Sequence, residues 1–134
     1  CHYEVSNYSK PGFESKHNLN YWKCRSVAAV GPSGVGFLSE NNFRYKWKVT
    51  DDSFVSEQLN SEEAFLEKIY MSLRVNSGLR FDIFEDEEKF RNISKKWVSD
   101  GYAIINENSV SLTAKGFLFI DSLMGDIFKE NMIE

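Results

Sequence analysis

From residue 60 onward, apolar side chains recur at helical intervals. Phe65, Leu66, Ile69, Tyr70 and Leu73 fall three and four residues apart, the spacing of one buried helix face. Asn60 and Ser61 are N-cap residue types, and Asn60 with Glu63 has the spacing of a capping box. Gly78 suits the stop beyond this helix. A second stripe of Phe90, Ile93 and Trp97 predicts a helix over Glu87–Ser99, ended by Gly101. The acidic run Glu85-Asp86-Glu87-Glu88 reads as its solvated start, where negative charge suits the helix dipole. Tyr102-Ala103-Ile104-Ile105, the polar turn Asn106-Glu107-Asn108 and Val110-Ser111-Leu112 read as a hairpin. Thr113 can cap a last helix, with Phe117, Ile120, Leu123, Met124 and Ile127 along its stripe. Helix, helix, hairpin, helix is the order of a winged-helix-like domain.

The first part of the chain has no such period. To about Lys48 it reads as loops and short strands rich in Asn, Ser, Gly and aromatics. Lys10-Pro11-Gly12 marks a turn. The apolar run Ser26–Val30, ended by Gly31-Pro32-Ser33-Gly34, predicts a buried strand and its exit loop. Phe43, Tyr45, Trp47 and Val49 alternate and belong on one face of a further strand. The polar stretch 50–60 is the expected boundary, which divides the chain into 1–50 and 51–134. The fold class expected is α+β.

Composition narrows the function. At 134 residues, 42% hydrophobic and 15% aromatic, the chain is long and apolar enough for a core. No apolar run approaches the roughly 20 residues that span a bilayer, and no signal-peptide pattern opens the chain. The first residue is Cys1 rather than Met, so the natural N-terminus is expected to lie upstream. Residues 1–59 carry net +1 and residues 60–134 net −5. The acidic second half is a poor partner for a phosphate backbone, and no nucleic-acid binding is expected despite the winged-helix order. Cys1 and Cys24 are the only cysteines. They are expected to be free thiols of a reducing cytoplasm, too few for an iron–sulfur cluster, which takes about three or four thiolates.

The most informative stretch is Tyr3-Glu4-Val5-Ser6-Asn7-Tyr8-Ser9-Lys10-Pro11-Gly12, followed by His17-Asn18-Leu19-Asn20-Tyr21-Trp22. It resembles the junction between the late barrel strands and the C-terminal domain in the radical-SAM family of oxygen-independent coproporphyrinogen oxidases and haem chaperones. A Tyr-Glu-(Ile/Val)-Ser-Asn strand end, a Pro-Gly turn and His-Asn-x-x-Tyr-Trp carry the likeness. Gly31-Pro32-Ser33-Gly34 matches the glycine-rich segment that follows. Leu73-Arg74, Gly78-Leu79, Gly101-Tyr102, Leu112-Thr113-x-x-Gly116 and Asp121 extend it through the second half. The match weakens between Leu38 and Gln58. Val35-Gly36 stands where the family has a small residue followed by His or Ser.

The resemblance implies the end strands of a partial barrel on residues 1–50 and a winged-helix-like domain on 51–134. It also implies a [4Fe-4S] cluster and S-adenosylmethionine in the full-length protein, neither held by this fragment, which is expected to be inactive alone. The His-Asn-x-x-Tyr-Trp element is similar to the haem-chaperone branch, in which it is associated with haem binding. That branch implies delivery of haem to acceptor proteins and contact with the protein's own N-terminal core. The oxidase branch, which converts porphyrinogen propionates to vinyls, and a winged-helix DNA-binding or docking module are the alternatives.

The residue types suit the haem reading. His17 and Tyr21 share a face whether the segment is helical or extended, and Asn18 and Trp22 share another. Imidazole ligates iron, and Tyr and Trp offer flat apolar surfaces with a polar tip. A hydrogen-bonded packing histidine is the plainer reading of the same residue; His2 lacks even the motif. Glu4 and Asn7 fall at the implied barrel mouth, facing substrate or cofactor or else held by backbone donors. Gly31, Ser33 and Gly34 either admit the SAM nucleotide closely or simply form a tight turn.

Overall fold

The chain opens with two short antiparallel strands, β1 (His2–Glu4) and β2 (Asn7–Tyr8), with an irregular register between them. Their hydrogen bonds do not end with each other. The Val5 amide donates to the Arg74 carbonyl at 2.9 Å, and the Asn76 amide donates to the Tyr3 carbonyl at 3.0 Å. The N-terminal strand is thereby stitched to a segment about seventy residues away in sequence. The computed structural model describes residues 1–130 and Met132. Its contacts form two units, one of residues 15–68 and one of residues 1–14 with 69–134.

Within residues 15–68, Ser15 opens helix α1 (Lys16–Trp22), its hydroxyl accepting from the Asn18 amide at 3.3 Å. The chain then runs beside a three-stranded antiparallel sheet of β3 (Val35–Leu38), β4 (Phe43–Trp47) and β5 (Phe54–Gln58), in that order. Ser26–Val30 is not a strand: only Val27 bridges, exchanging both backbone hydrogen bonds with Phe37 at 2.8 and 2.9 Å. Val27 is buried while Val30 is almost fully exposed. Residue 50, the expected boundary, lies in the connection between β4 and β5.

The alternation in β4 places Phe43, Tyr45 and Trp47 on one face. Tyr45 lies over Gly36, where a Cβ would come within 2.1 Å of its ring. The Tyr45 hydroxyl and the Trp47 indole N–H both donate to the Ala29 carbonyl, at 3.2 and 2.8 Å. The glycine is required there because any side chain would lift the ring off the strand.

Helix α2 (Ser61–Leu73) begins with the capping box the spacing predicts. The Asn60 amide donates to the Glu63 carboxylate, and the Glu63 amide donates to the Asn60 side-chain oxygen, both at 2.8 Å. Beyond α2, a second antiparallel sheet has the order β6 (Leu79–Arg80), β8 (Ser109–Leu112), β7 (Ala103–Ile105). A 3-10 turn at Phe81–Ile83 leads from β6 to α3 (Glu87–Ser99), which Asp86 caps by accepting from the Lys89 amide at 2.8 Å. Phe90, Ile93, Ser94 and Trp97 form its buried face. Phe81, Phe84, Phe90 and Trp97 make a chain of aromatic contacts, with centroids 4.3 to 5.8 Å apart.

The last helical region departs from the single helix expected. It breaks at Phe119 into α4 (Ala114–Leu118) and α5 (Ile120–Lys129). Thr113 caps α4 as predicted, accepting from the Gly116 amide at 3.1 Å. Phe119, at φ −115°, leaves helical geometry and its ring lies against Tyr102 at 5.1 Å. The apolar stripe still continues across the break, with Phe117, Ile120, Leu123, Met124 and Ile127 all buried. The architecture is α+β.

Candidate functional site

The His-Asn-x-x-Tyr-Trp element forms one object, helix α1. None of its residues is fully buried. His17 is exposed, while Asn18, Tyr21 and Trp22 are half-buried. Four-residue spacing on a helix puts His17 with Tyr21 and Asn18 with Trp22. Tyr21 and Trp22 meet edge to face with ring centroids 5.3 Å apart. The helix ends through the Lys23 amide on the Leu19 carbonyl and the Cys24 amide on the Tyr21 carbonyl, both at 3.0 Å, with Cys24 at φ +50°.

A charged cluster lies in the same unit. Arg44, on the face of β4 opposite Tyr45, donates to Glu57 on β5 through Nε at 3.2 Å and Nη2 at 2.8 Å. It donates to Glu67 on α2 through Nη1 at 2.6 Å. Partial burial works against the Arg44 charge. The Glu57 hydrogen bond and the charges of Glu67 and Glu57, with a smaller contribution from Tyr21, outweigh it and hold the guanidinium pKa above its usual value. Glu67 also acts on Cys24. Burial, with the Glu67 charge adding and Lys68 opposing, pushes the Cys24 thiol up to about 11. The α1 end, Arg44 and Glu67 thus share one electrostatic neighbourhood. Sequence reasoning missed Arg44: its partners are 13 and 23 residues away, and no local pattern signals them.

The other expected site residues lie elsewhere. Glu4 is fully buried in the unit that includes residues 1–14, with its carboxylate accepting from the Ser6 amide at 3.2 Å and from the Ser6 hydroxyl. Asn7, in β2, donates from its side chain to the Ser6 hydroxyl oxygen at 3.3 Å. Gly31, Ser33 and Gly34 form a turn with Gly31 and Ser33 at positive φ. The Ser33 amide donates to the Trp47 carbonyl, the Gly34 amide donates to Gly31, and the Trp47 amide donates to the Gly34 carbonyl. The Ser33 and Gly34 amides thus both have backbone acceptors. His2 stacks on Tyr8 at 4.4 Å and meets the Phe117 ring edge-on at 5.2 Å, with its Nε2 buried and lacking a hydrogen-bond partner.

Cys1 is exposed in one unit and Cys24 belongs to the other. Cys24 remains a protonated thiol at neutral pH, and metals bind the thiolate. Among the described residues no group of three or more His, Cys, Asp or Glu is placed to hold a metal ion. This donor set does not fit an iron–sulfur cluster. No helix among the described residues is long and apolar enough to cross a membrane.

No protein-family model matches the chain, and no solved structure matches it. Curated proteins do. The chain is 27% identical over 150 aligned positions to the haem chaperone HemW of Lactococcus lactis, covering 99% of this chain and 38% of that protein. It is 25% identical to the haem chaperone HemW of Bacillus subtilis, covering 96% of this chain and 38% of that protein. The haem chaperone HemW of Mycobacterium tuberculosis is also 25% identical, over 91% of this chain and 33% of that protein. The chain therefore spans between 33% and 38% of the length of these relatives. Over nearly its whole length the chain is thus similar to part of several proteins named haem chaperone HemW.

Proposed function

We propose that the protein carrying this chain is a haem chaperone of the cytoplasm, binding haem and passing it to acceptor proteins. One observation carries the reading: the His-Asn-x-x-Tyr-Trp element is a single helix with its imidazole exposed. His17 is free to approach iron, which needs the neutral ring nitrogen. Tyr21, Trp22 and Asn18 supply apolar surface and polar tips beside it. The names of these relatives, haem chaperones matched over nearly the full chain, support the same reading.

The finer assignments belong to the same proposal. Residues 1–50 are the end of a radical-SAM barrel, with Glu4, Asn7, Gly31, Ser33 and Gly34 near its mouth. Residues 51–134 are a winged-helix-like domain, a reading supported by the helix, strand, helix, hairpin order around the β6-β8-β7 sheet. The net −5 charge of residues 60–134 favours protein docking over DNA for that domain. The [4Fe-4S] cluster and S-adenosylmethionine belong to the full-length protein's N-terminal core, whose cysteines this chain does not contain.

Haem titration of the intact protein, followed by Soret absorption, tests the reading. His17→Ala is expected to weaken binding about tenfold or more and to alter the Soret band, as loss of an iron–imidazole bond does. His2→Ala is expected to leave both unchanged. Unchanged affinity and spectrum in His17→Ala would show that the iron is held elsewhere and remove α1 from the site.

A further inference from the structure

Arg44 is held by two carboxylates that differ in accessibility. Glu67, from α2, has a side chain 21% exposed, whereas Glu57, on the outer strand β5, has one 59% exposed. Glu67 takes Nη1, and Glu57 takes the Nε–Nη2 edge. That edge is the planar fork with which arginine matches a carboxylate. Here a carboxylate that solvent already reaches occupies it, on a strand whose five residues are all exposed. Tyr21 of α1 is near enough to the same guanidinium to influence it once its phenol ionises.

We propose that Arg44 is a carboxylate-recognising residue and that Glu57 holds the place of the ligand's carboxylate in the free protein. The inference rests on the reading of α1 as a haem-contacting surface, and the carboxylates it assigns to Arg44 are the porphyrin propionates. When a propionate takes the Nε–Nη2 edge, Glu57 swings into solvent. One carboxylate replaces another, so the partly buried guanidinium is never left unpaired, the costly state for a charge out of water. Glu67 stays on Nη1 throughout and keeps the fork aimed. Release follows the same path in reverse: Glu57 is tethered beside the fork and competes for it, which suits a protein that must give its ligand up.

The experiment compares haem with haem dimethyl ester, the same iron porphyrin with both propionates esterified, in the intact protein and one solvent mixture. Wild type is expected to bind haem about tenfold or more tighter than the ester, the scale of one charge-assisted hydrogen bond. Arg44→Gln is expected to erase that preference while leaving ester affinity in place. Glu57→Gln removes the competitor and is expected to tighten haem binding several-fold without changing the ester. It also keeps the test valid should Arg44→Gln fold poorly. Equal weakening of haem and ester in Arg44→Gln would make Arg44 purely structural and overturn the proposal, as would a Glu57→Gln that binds haem less tightly than wild type. If His17→Ala weakens both ligands while the haem-to-ester ratio ignores Arg44, the α1 surface stands and the Arg44 assignment falls. If wild type binds neither ligand, both fall.

Discussion

Three glycines separate two costs that usually arrive together, backbone strain and collision. Gly101 sits at φ +76° with nothing within 4 Å of the point a Cβ would occupy, so alanine there meets only the left-handed backbone. That penalty is about 1–2 kcal/mol, offset in part by about 0.4–1 kcal/mol from a less flexible unfolded chain. Gly116, in α4, is strain-free, but a Cβ would stand 2.0 Å from the Tyr102 carbonyl oxygen. Backbone cannot swing aside as a side chain can, so the overpacking cost of about 1–3 kcal/mol applies near its upper end. Alanine's helix preference over glycine returns about 1 kcal/mol of it. Gly78 combines both problems, with φ +74° and a Cβ 2.3 Å from the Val110 carbonyl oxygen. Gly101→Ala is therefore expected to cost about 1 kcal/mol, Gly116→Ala about 1–2 and Gly78→Ala about 3–4. Against a typical domain stability of about 5–15 kcal/mol, the last is a large fraction. Denaturant unfolding reads all three as shifts in midpoint at constant slope. A Gly78→Ala no less stable than Gly101→Ala would refute the claim that the β6–β8 pairing brings the Val110 carbonyl against the residue-78 backbone.

Two further outcomes follow from the core and the thiols. Trp97 is fully buried and its indole N–H donates to Asp126 at 3.0 Å. Asp126→Ala should cost about 1–3 kcal/mol by orphaning that donor, and Trp97→Phe should cost less in the Asp126→Ala background than in wild type; strict additivity in the double-mutant cycle would argue against the bond. Cys24 has a pKa raised from 9.0 to about 11, so folding favours its protonated form. Its contribution to stability is fully present below about pH 9 and fades as the pH rises through about 11. Iodoacetamide labelling read by mass spectrometry should modify Cys1 at neutral pH and Cys24 only as the pH nears about 11; early labelling of Cys24 would contradict its burial beside Glu67.

What residues 60–129 would do was largely written in local chemistry. Asn60 with Glu63 and Thr113 with Gly116 cap helices because side-chain oxygens three residues before free amides need no distant partner. The stripes of Phe90, Ile93 and Trp97 and of Phe117, Ile120, Leu123 and Ile127 announce buried faces through spacing alone. The motif His17–Trp22 was legible as a motif, but its state was not: α1 is seven residues long and buries none of them, so it has no stripe to read. Strand β5 is exposed at every position and shows no alternation; it is a strand only because its backbone pairs with β4 from Phe43↔Gln58 to Trp47↔Phe54. The two residues of β6 and the break at Phe119 likewise depend on their contacts, with Val110 and with the Tyr102 ring. Arg44 is the sharpest case. Its charge is visible in the sequence, but its position between Glu57 and Glu67 exists only once a sheet register and a helix have been brought together by hydrogen bonds that span 13 and 23 residues.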